Sequence, residues 1–176
     1  EENDTFALNL RPTDMSEITK KVAVGHEPGF AQKSLDFTLT VDPGIIVQAD
    51  SVRYAQVLIN VLSNALKYTD RGRVDLTLHR CGEGAELTLV DTGEGLDSEV
   101  ISNINNRSHQ AFKAVNSKGV GLYIAKLIID KHGWQLHIDS RQGAGTRLTH
   151  FMKSAKPEGL GQELALIHSG RCRRKG

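Results

Sequence analysis

Apolar residues along this chain follow two periods, and the switches between them mark out the elements. Phe6, Leu8 and Leu10 alternate with polar residues and predict a first strand that Pro12 ends. Asp14 with Glu17 three residues on reads as a capping box opening a helix with Met15, Ile18 and Val22 on its core face. Gly25, Pro28 and Gly29 leave the far end of that helix open. Leu35, Phe37, Leu39 and Val41 alternate as a second strand, Pro43-Gly44 turns the chain, and a short strand covers 45–47. Asp50 then caps a strong helix. Within it Val57, Leu58, Val61, Leu62, Ala65 and Leu66 recur at helical spacing over 56–69 and give a wide apolar face.

Period two returns in Val74, Leu76 and Leu78 and again in Leu87 and Leu89, with Gly82-Glu83-Gly84 as the turn of a hairpin. The second of these strands runs straight into Asp91. A short helix is expected over 97–104, and the polar, weakly periodic stretch 105–117 reads as a mobile lid. Leu122, Ile124, Ala125, Leu127, Ile128 and Ile129 build a second strong helix over 119–131, ended by Gly133. Trp134, Leu136 and Ile138 form a strand. Thr146, Leu148 and Phe151 begin the last one after a Gly143-Ala144-Gly145 turn. Beyond Lys153 the pattern fails, because Pro157, Gly159 and Gly161 break any long element, and 153–176 reads as a flexible tail with a small basic end. Strands alternating with two or three long helices mean a layered α+β or α/β fold, which spacing alone does not separate.

Composition narrows this only slightly. The 176 residues suit one domain with a sizeable core, and 39% hydrophobic with 24% charged content is ordinary for a globular protein. A net charge of +1 argues against an acidic polymer, hence against nucleic acid, as partner. No apolar run approaches the roughly 20 residues that cross a bilayer, and no signal peptide is visible. The first residue is Glu, so an excised piece of a longer protein is expected. Cys81 and Cys172 lie far apart and are too few for a zinc cage, so reduced thiols in a cytoplasmic setting are expected.

The chemistry lies in three stretches. Asn60 and Asn64 stand four residues apart, stacked on one edge of the helix over 56–69, with Lys67 extending that edge. Asn is a mediocre helix former, so two of them ask for partners that reward a polar group. Two glycine-rich stretches follow, DTGEGL from Asp91 to Leu96 and KGVGLYIAK from Lys118 to Lys126.

In that order and spacing the three blocks resemble the nucleotide-binding blocks of the histidine kinase catalytic domain. That domain shares a superfamily with type II topoisomerases, heat-shock chaperones and mismatch-repair ATPases. The resemblance covers most of the chain, 6–152. It implies an α/β sandwich of the α+β class, a mixed sheet with three helices packed on one face, and ATP between helices and sheet. Residues 1–5 would be the remnant of an upstream linker or hairpin.

By the same resemblance Asn64 would hold Mg²⁺ through its carboxamide oxygen, a hard donor of the kind Mg²⁺ takes. Asn60, one turn earlier, would lie near the phosphates or the metal-bound water. ATPase branches usually place Glu at that position to activate water. An amide has no usable proton affinity, so Asn60 favours a kinase over a hydrolase. Lys67 would contact phosphate and Tyr68 would pack beside the nucleotide. Asp91 would accept a hydrogen bond from the adenine amine, with Gly93 and Gly95 letting the backbone pass close to the base. Lys118, Gly119, Val120, Gly121 and Leu122 would open the phosphate-side helix, and Thr146 would stand in the last block.

Two features depart from the family pattern. Ser117 stands where a further glycine is usual, and Phe112 is the one candidate for the lid's phenylalanine motif. Arg107, His109 and Gln110 are lid candidates for the γ-phosphate. None of the seven histidines sits in a phosphoacceptor context, and His132, before Gly133, reads as structural at a helix C-terminus.

The resemblance therefore implies a sensor kinase domain whose acceptor histidine lies on a separate helical hairpin. It also implies a downstream response regulator, a homodimer formed through the upstream segment, and a cytoplasmic domain of a full-length protein that can be membrane-anchored. Two rival readings stand beside it. One is a superfamily serine kinase of the anti-sigma type, which tends to carry an acid where Asn60 stands. The other is a nucleotide-sensing module that has lost transfer.

Overall fold

The computed structural model describes residues 6–106 and 119–153. In chain order the elements are β1 (Arg11–Asp14), α1 (Met15–Gln32), β2 (Asp36–Val41), β3 (Ile46–Ala49) and α2 (Ser51–Tyr68). After these come β4 (Arg73–Cys81), β5 (Gly84–Asp91), α3 (Ser98–Asn105), α4 (Val120–Lys131), β6 (Gln135–Ser140) and β7 (Thr146–Met152). Five strands form one mixed sheet in the order β2-β4-β5-β7-β6, parallel between β2 and β4 and antiparallel elsewhere. Strands β1 and β3 make a separate antiparallel pair.

Alternation decides which sheet face is covered. Val74, Leu76, Leu78, Leu87, Leu89 and Leu148 point to one side and are buried with the apolar faces of the helices. The opposite side shows Thr38, Thr40, Arg73, His79, Arg147 and Asp139 to solvent. The result is the expected α+β sandwich, with four helices among the described residues rather than three. The fourth, α3, is eight residues long and packs on α4.

One expectation at the N-terminal end fails for a physical reason, and one open question is settled. Residues 6–10 are not a strand. Phe6 instead packs on the core, its ring 4.4 Å from the Arg53 guanidinium, so alternation there served packing and not a ladder. Pro12 lies inside β1 opposite Gln48, a position that an edge strand tolerates because a missing N–H there breaks little. Helix α1 also runs on through Gly25, Pro28 and Gly29 to Gln32. Packing outweighs the proline. Phe30 is fully buried and stacks on Phe37 at 4.6 Å, and a Cβ on Gly29 would come within 2.7 Å of Leu66 Cδ2.

Both ends of α2 are fixed. The Asp50 carboxylate accepts from Arg53 N at 3.1 Å as N-cap. At the other end Lys33 Nζ donates to the carbonyls of Leu66 (2.7 Å) and Thr69 (3.0 Å), placing a cation on the negative end of the helix. Cys81, the last residue of β4, is disulfide-bonded, which corrects the expectation of reduced thiols.

Beside the start of α2 lies an aromatic cluster. His150 on β7 sits 5.1 Å from Trp134 and 6.5 Å from Tyr54, ring to ring. It is fully buried, and neither ring nitrogen has a hydrogen-bond partner among the described residues. Burial, with His132 nearby, pushes its pKa down from 6.5 to about 3. Below pH 6.5 the unfolded chain takes up a proton that the folded chain refuses, so stability falls as pH drops. The slope approaches about 1.4 kcal/mol per pH unit for this one group. Urea midpoints should therefore fall clearly between pH 7 and pH 5. His150→Leu should hold or raise stability at pH 7, since it removes two unpartnered polar atoms. It should also flatten the acid slope, and a mutant as acid-sensitive as the parent would refute this account.

Candidate functional site

A cleft opens between α2, the start of α4 and the helix-facing side of β5 and β7. Asn64, Tyr68, Asp91, Gly95, Leu122 and Thr146 line it over an apolar floor that includes Leu89 and Leu148. Strand geometry places the floor. Leu89 is two residues before Asp91 and Leu148 two after Thr146, so all four share one face.

On the α2 side, Asn60 and Asn64 stand one turn apart beside the helix's buried apolar face. The Nδ2 atoms of both are buried and have no hydrogen-bond partner among the described residues. Leaving a buried polar group unpaired costs about 1–3 kcal/mol, which a ligand can recover. Opposite them stands Gly121. A Cβ there would lie at van der Waals contact, 3.4 Å from Asn64 Oδ1 and 3.7 Å from Asn60 Oδ1, so the start of α4 stands close against both amides and a larger side chain would crowd them. Gly119 is the N-cap of α4 and makes no side-chain cap bond. The first N–H groups of α4, from Val120, Gly121 and Leu122, therefore face outward at the positive end of a helix.

At the sheet end, Asp91 closes β5. Its Oδ1 accepts from Gly93 N at 2.9 Å. Burial pushes its pKa above the usual carboxylate range, partly offset by the N–H groups of Gly93 and Thr146. The loop after it is stitched down on both sides. Glu94 N donates to Tyr68 O (3.1 Å), Gly143 N to Glu94 O (2.7 Å) and Leu96 N to Ser140 Oγ (2.8 Å). A Cβ on Gly93 would come 2.6 Å from Tyr68 O and 2.8 Å from Thr69 Oγ1. Gly95 has φ +74° with the Arg141 carbonyl against it, so neither position admits a side chain.

The structure thus gathers Asn64, Tyr68, Asp91, Gly95, Leu122 and Thr146 around one cleft, with Asn60 and Gly121 at its α4 end. Gly93 packs under the loop. Lys67 is exposed, with Nζ 5.2 Å from the Tyr68 ring, and does not line the cleft. Lys118 and the lid candidates Arg107, His109, Gln110 and Phe112 lie outside the described residues, as do 1–5 and 154–176. Sequence reasoning missed Ser140. Its Oγ donates to Gly145 O (3.0 Å), accepts from Leu96 N and meets Thr146 Oγ1 at 2.8 Å. The one hint was its place on the inward-facing period of β6. A shallower depression around Asp139, Arg141 and Arg147 borders Asp91 from the other side of the sheet and is open to solvent.

Among the described residues, no three His, Cys, Asp or Glu side chains gather as a metal site. No described helix is long and apolar enough to cross a membrane.

Fold and cleft define a class, the two-layer α/β sandwich with its ligand cleft between helices and sheet. Residues 49–156 match the model of the histidine kinase-, DNA gyrase B- and HSP90-like ATPase family, and the chain belongs to that family. Its relatives are sensor histidine kinases. It is 33% identical to the heme sensor protein HssS of Staphylococcus saprophyticus over 141 residues, 79% of this chain and 30% of HssS. The mycobacterial sensor histidine kinase MprB is similar in structure, with TM-score 0.64 and 29% identity, covering 81% of this chain and 96% of that one. Full-length ShkA, solved in complex with AMPPNP, shares the fold at TM-score 0.67 and 24% identity over 86% of this chain and 33% of ShkA. The chain spans 16% of the curated relative TmoS of Ectopseudomonas mendocina.

Proposed function

We propose that this chain is the ATP-binding catalytic domain of a sensor histidine kinase, passing the γ-phosphoryl group to a histidine on a separate helical hairpin. One observation carries the reading. Two amides on α2, whose buried Nδ2 atoms have no partner among the described residues, stand close against the start of α4, which makes no side-chain cap bond. A carboxamide can offer oxygen to a cation or N–H to a phosphate oxygen, and helix N–H groups suit phosphates. The AMPPNP complex of ShkA, which shares the fold, supports a nucleotide in this cleft.

In this reading the adenine amine donates to the Asp91 carboxylate while Gly93 and Gly95 keep the loop close to the base. Tyr68 packs beside the nucleotide and Thr146 borders it. Gly119, Val120, Gly121 and Leu122 offer backbone N–H groups to the phosphates, Lys67 is a cation at the rim, and Lys118 is proposed as a further phosphate contact. Asn64 fits Mg²⁺ as a lone hard-oxygen donor, and Mg²⁺ would neutralise charge on the phosphates there. Asn60 stands beside it with no proton affinity, so no water is activated and hydrolysis is not the task. The remaining work is positioning and charge neutralisation, since phosphoryl transfer leaves a protein little covalent chemistry. The general base comes from the acceptor hairpin. Further proposed partners are a response regulator and a second copy joined through the hairpin, with 6–152 as the catalytic unit of a longer protein that can be membrane-anchored.

With γ-labelled ATP the chain alone should stay unlabelled and turn over negligible ATP, and adding its kinase's helical hairpin should give acid-labile label on the hairpin. Label on the chain's own histidines, or steady hydrolysis, would sink the reading. Asp91→Asn should weaken binding of an ATP analogue about tenfold to a hundredfold, the worth of a hydrogen bond to a charged group. Isothermal titration measures this, and unchanged affinity in a folded mutant removes Asp91 from the site.

A further inference from the structure

Helices α2 and α4 pack along each other, and a specific contact marks each end. At the cleft, Gly121 meets Asn60 and Asn64. At the far end, the backbone N–H of Asp50 donates to His132 Nε2 at 3.1 Å. The helices are therefore antiparallel, and the far contact lies about 15–20 Å from the near one at 1.5 Å per residue. His132 is held in one tautomer, because its Nδ1–H is committed to Ile128 O at 2.8 Å. Its ring stacks on Trp134 at 4.0 Å. Burial, outweighing the Ile128 bond and the Asp50 charge, keeps its pKa below the usual histidine range, so the acceptor lone pair is present at neutral pH.

Asp50 is itself a junction. Its carboxylate accepts from Arg53 N within α2 and from Asn9 N at 3.0 Å in the incoming segment. Burial opposes the charge on Asp50, but the N–H groups of Asn9, Arg53 and Val52 hold the carboxyl below its usual range. One residue thus joins the incoming chain, the start of α2 and the end of α4.

Both helices give apolar side chains to one core, among them Val57, Val61, Ala125 and Ile128, and apolar contact is non-directional. It permits small slides that a directed hydrogen bond does not. We infer that His132, through the Asp50 N–H, is a positioning residue that sets the register of α4 against α2 and so the gap between Gly121 and the Asn60–Asn64 pair. The inference rests on the nucleotide reading of the cleft. It singles out the phosphate half of the site, because the Asp91 loop is tied to β6 and to the C-terminal end of α2 by bonds of its own. Coupling is reciprocal, so filling the phosphate half must also firm the Asp50–His132 bond.

The test compares Mg²⁺ with an ATP analogue against adenosine alone, on the whole chain, by titration calorimetry. His132→Leu should lose about threefold to tenfold in affinity for the Mg²⁺-analogue, the worth of one neutral hydrogen bond, with adenosine affinity unchanged. His132→Gln, whose amide oxygen can take the place of Nε2 as acceptor, should recover most of that loss. Without any variant, amide exchange at Asp50 should slow when the Mg²⁺-analogue binds and not when adenosine binds. Equal affinity of a folded His132→Leu for the Mg²⁺-analogue, equal losses for both ligands, failure of the Gln variant, or no change in Asp50 exchange each overturns the positioning role. A parent chain that binds neither ligand overturns the nucleotide reading itself, so the two failures are distinguishable.

Discussion

Asn64→Ala will erase most of the melting-temperature gain that Mg²⁺-ATP gives this domain, while the gain from adenosine will remain nearly intact. The split follows from where the residue stands. Asn64 lines the cleft from α2, facing the start of α4, and the acid that would hold the base lies across it on β5. Losing an interaction with a charged group costs about 1.5–3 kcal/mol, or roughly tenfold to a hundredfold in affinity. The alternative is that Asn64 is a structural amide, whose removal would leave a buried partner unsatisfied and lower stability. Its Nδ2 has no such partner among the described residues, so the ligand-free mutant should melt within a few degrees of the parent. Melting curves alone, with adenosine and with Mg²⁺-ATP separate the outcomes. A stable mutant that keeps the full Mg²⁺-ATP shift would falsify the metal-ligand role.

Lys67 is the natural companion. Exposed beside Tyr68 and off the cleft lining, it can reach phosphate only from the rim. Lys67→Ala should weaken Mg²⁺-ATP less than Asn64→Ala does.

What the sequence made legible was what short-range periodicity and capping encode. The apolar stripe of α2 with its Asp50 cap, the hairpin of β4 and β5 ending at Asp91, and the glycine opening of α4 all lie within one or two elements of chain. The parts that stayed hidden depend on long-range contacts. Pro28 left the end of α1 open because local rules give it no compensation, and Phe30 on Phe37 and Gly29 against Leu66 supply that compensation from other elements. Phe6 and Leu8 had strand periodicity, but residues 6–10 join no strand and Phe6 packs on the core instead. Ser140 and His132 act through partners 44 and 82 positions away in sequence, which no local pattern announces.

Gly145→Ala will be among the most damaging single-methyl changes in this fold, and Gly143→Ala is its control. Both glycines have left-handed backbone, φ +81° and +80°. An L side chain in that region costs about 1–2 kcal/mol, so both substitutions share that loss. They differ in space. Nothing lies within 4 Å of a Cβ on Gly143, whereas on Gly145 the new methyl meets the Asp91 carbonyl. That carbonyl belongs to the β5–β7 pairing of Asp91 with Thr146, and Gly145 O is held by Ser140 Oγ at 3.0 Å, so neither side can turn away. Overpacking of this kind adds about 1–3 kcal/mol. Gly145→Ala should then lose roughly 2–5 kcal/mol, about 5–20 °C in melting temperature for a chain of this size, against a few degrees for Gly143→Ala. Because the displaced carbonyl is that of Asp91, adenosine binding should weaken in whatever fraction stays folded, which Gly143→Ala should not cause. Equal melting losses for the two mutants would show that backbone conformation alone, and not the close approach to Asp91, demands glycine at 145.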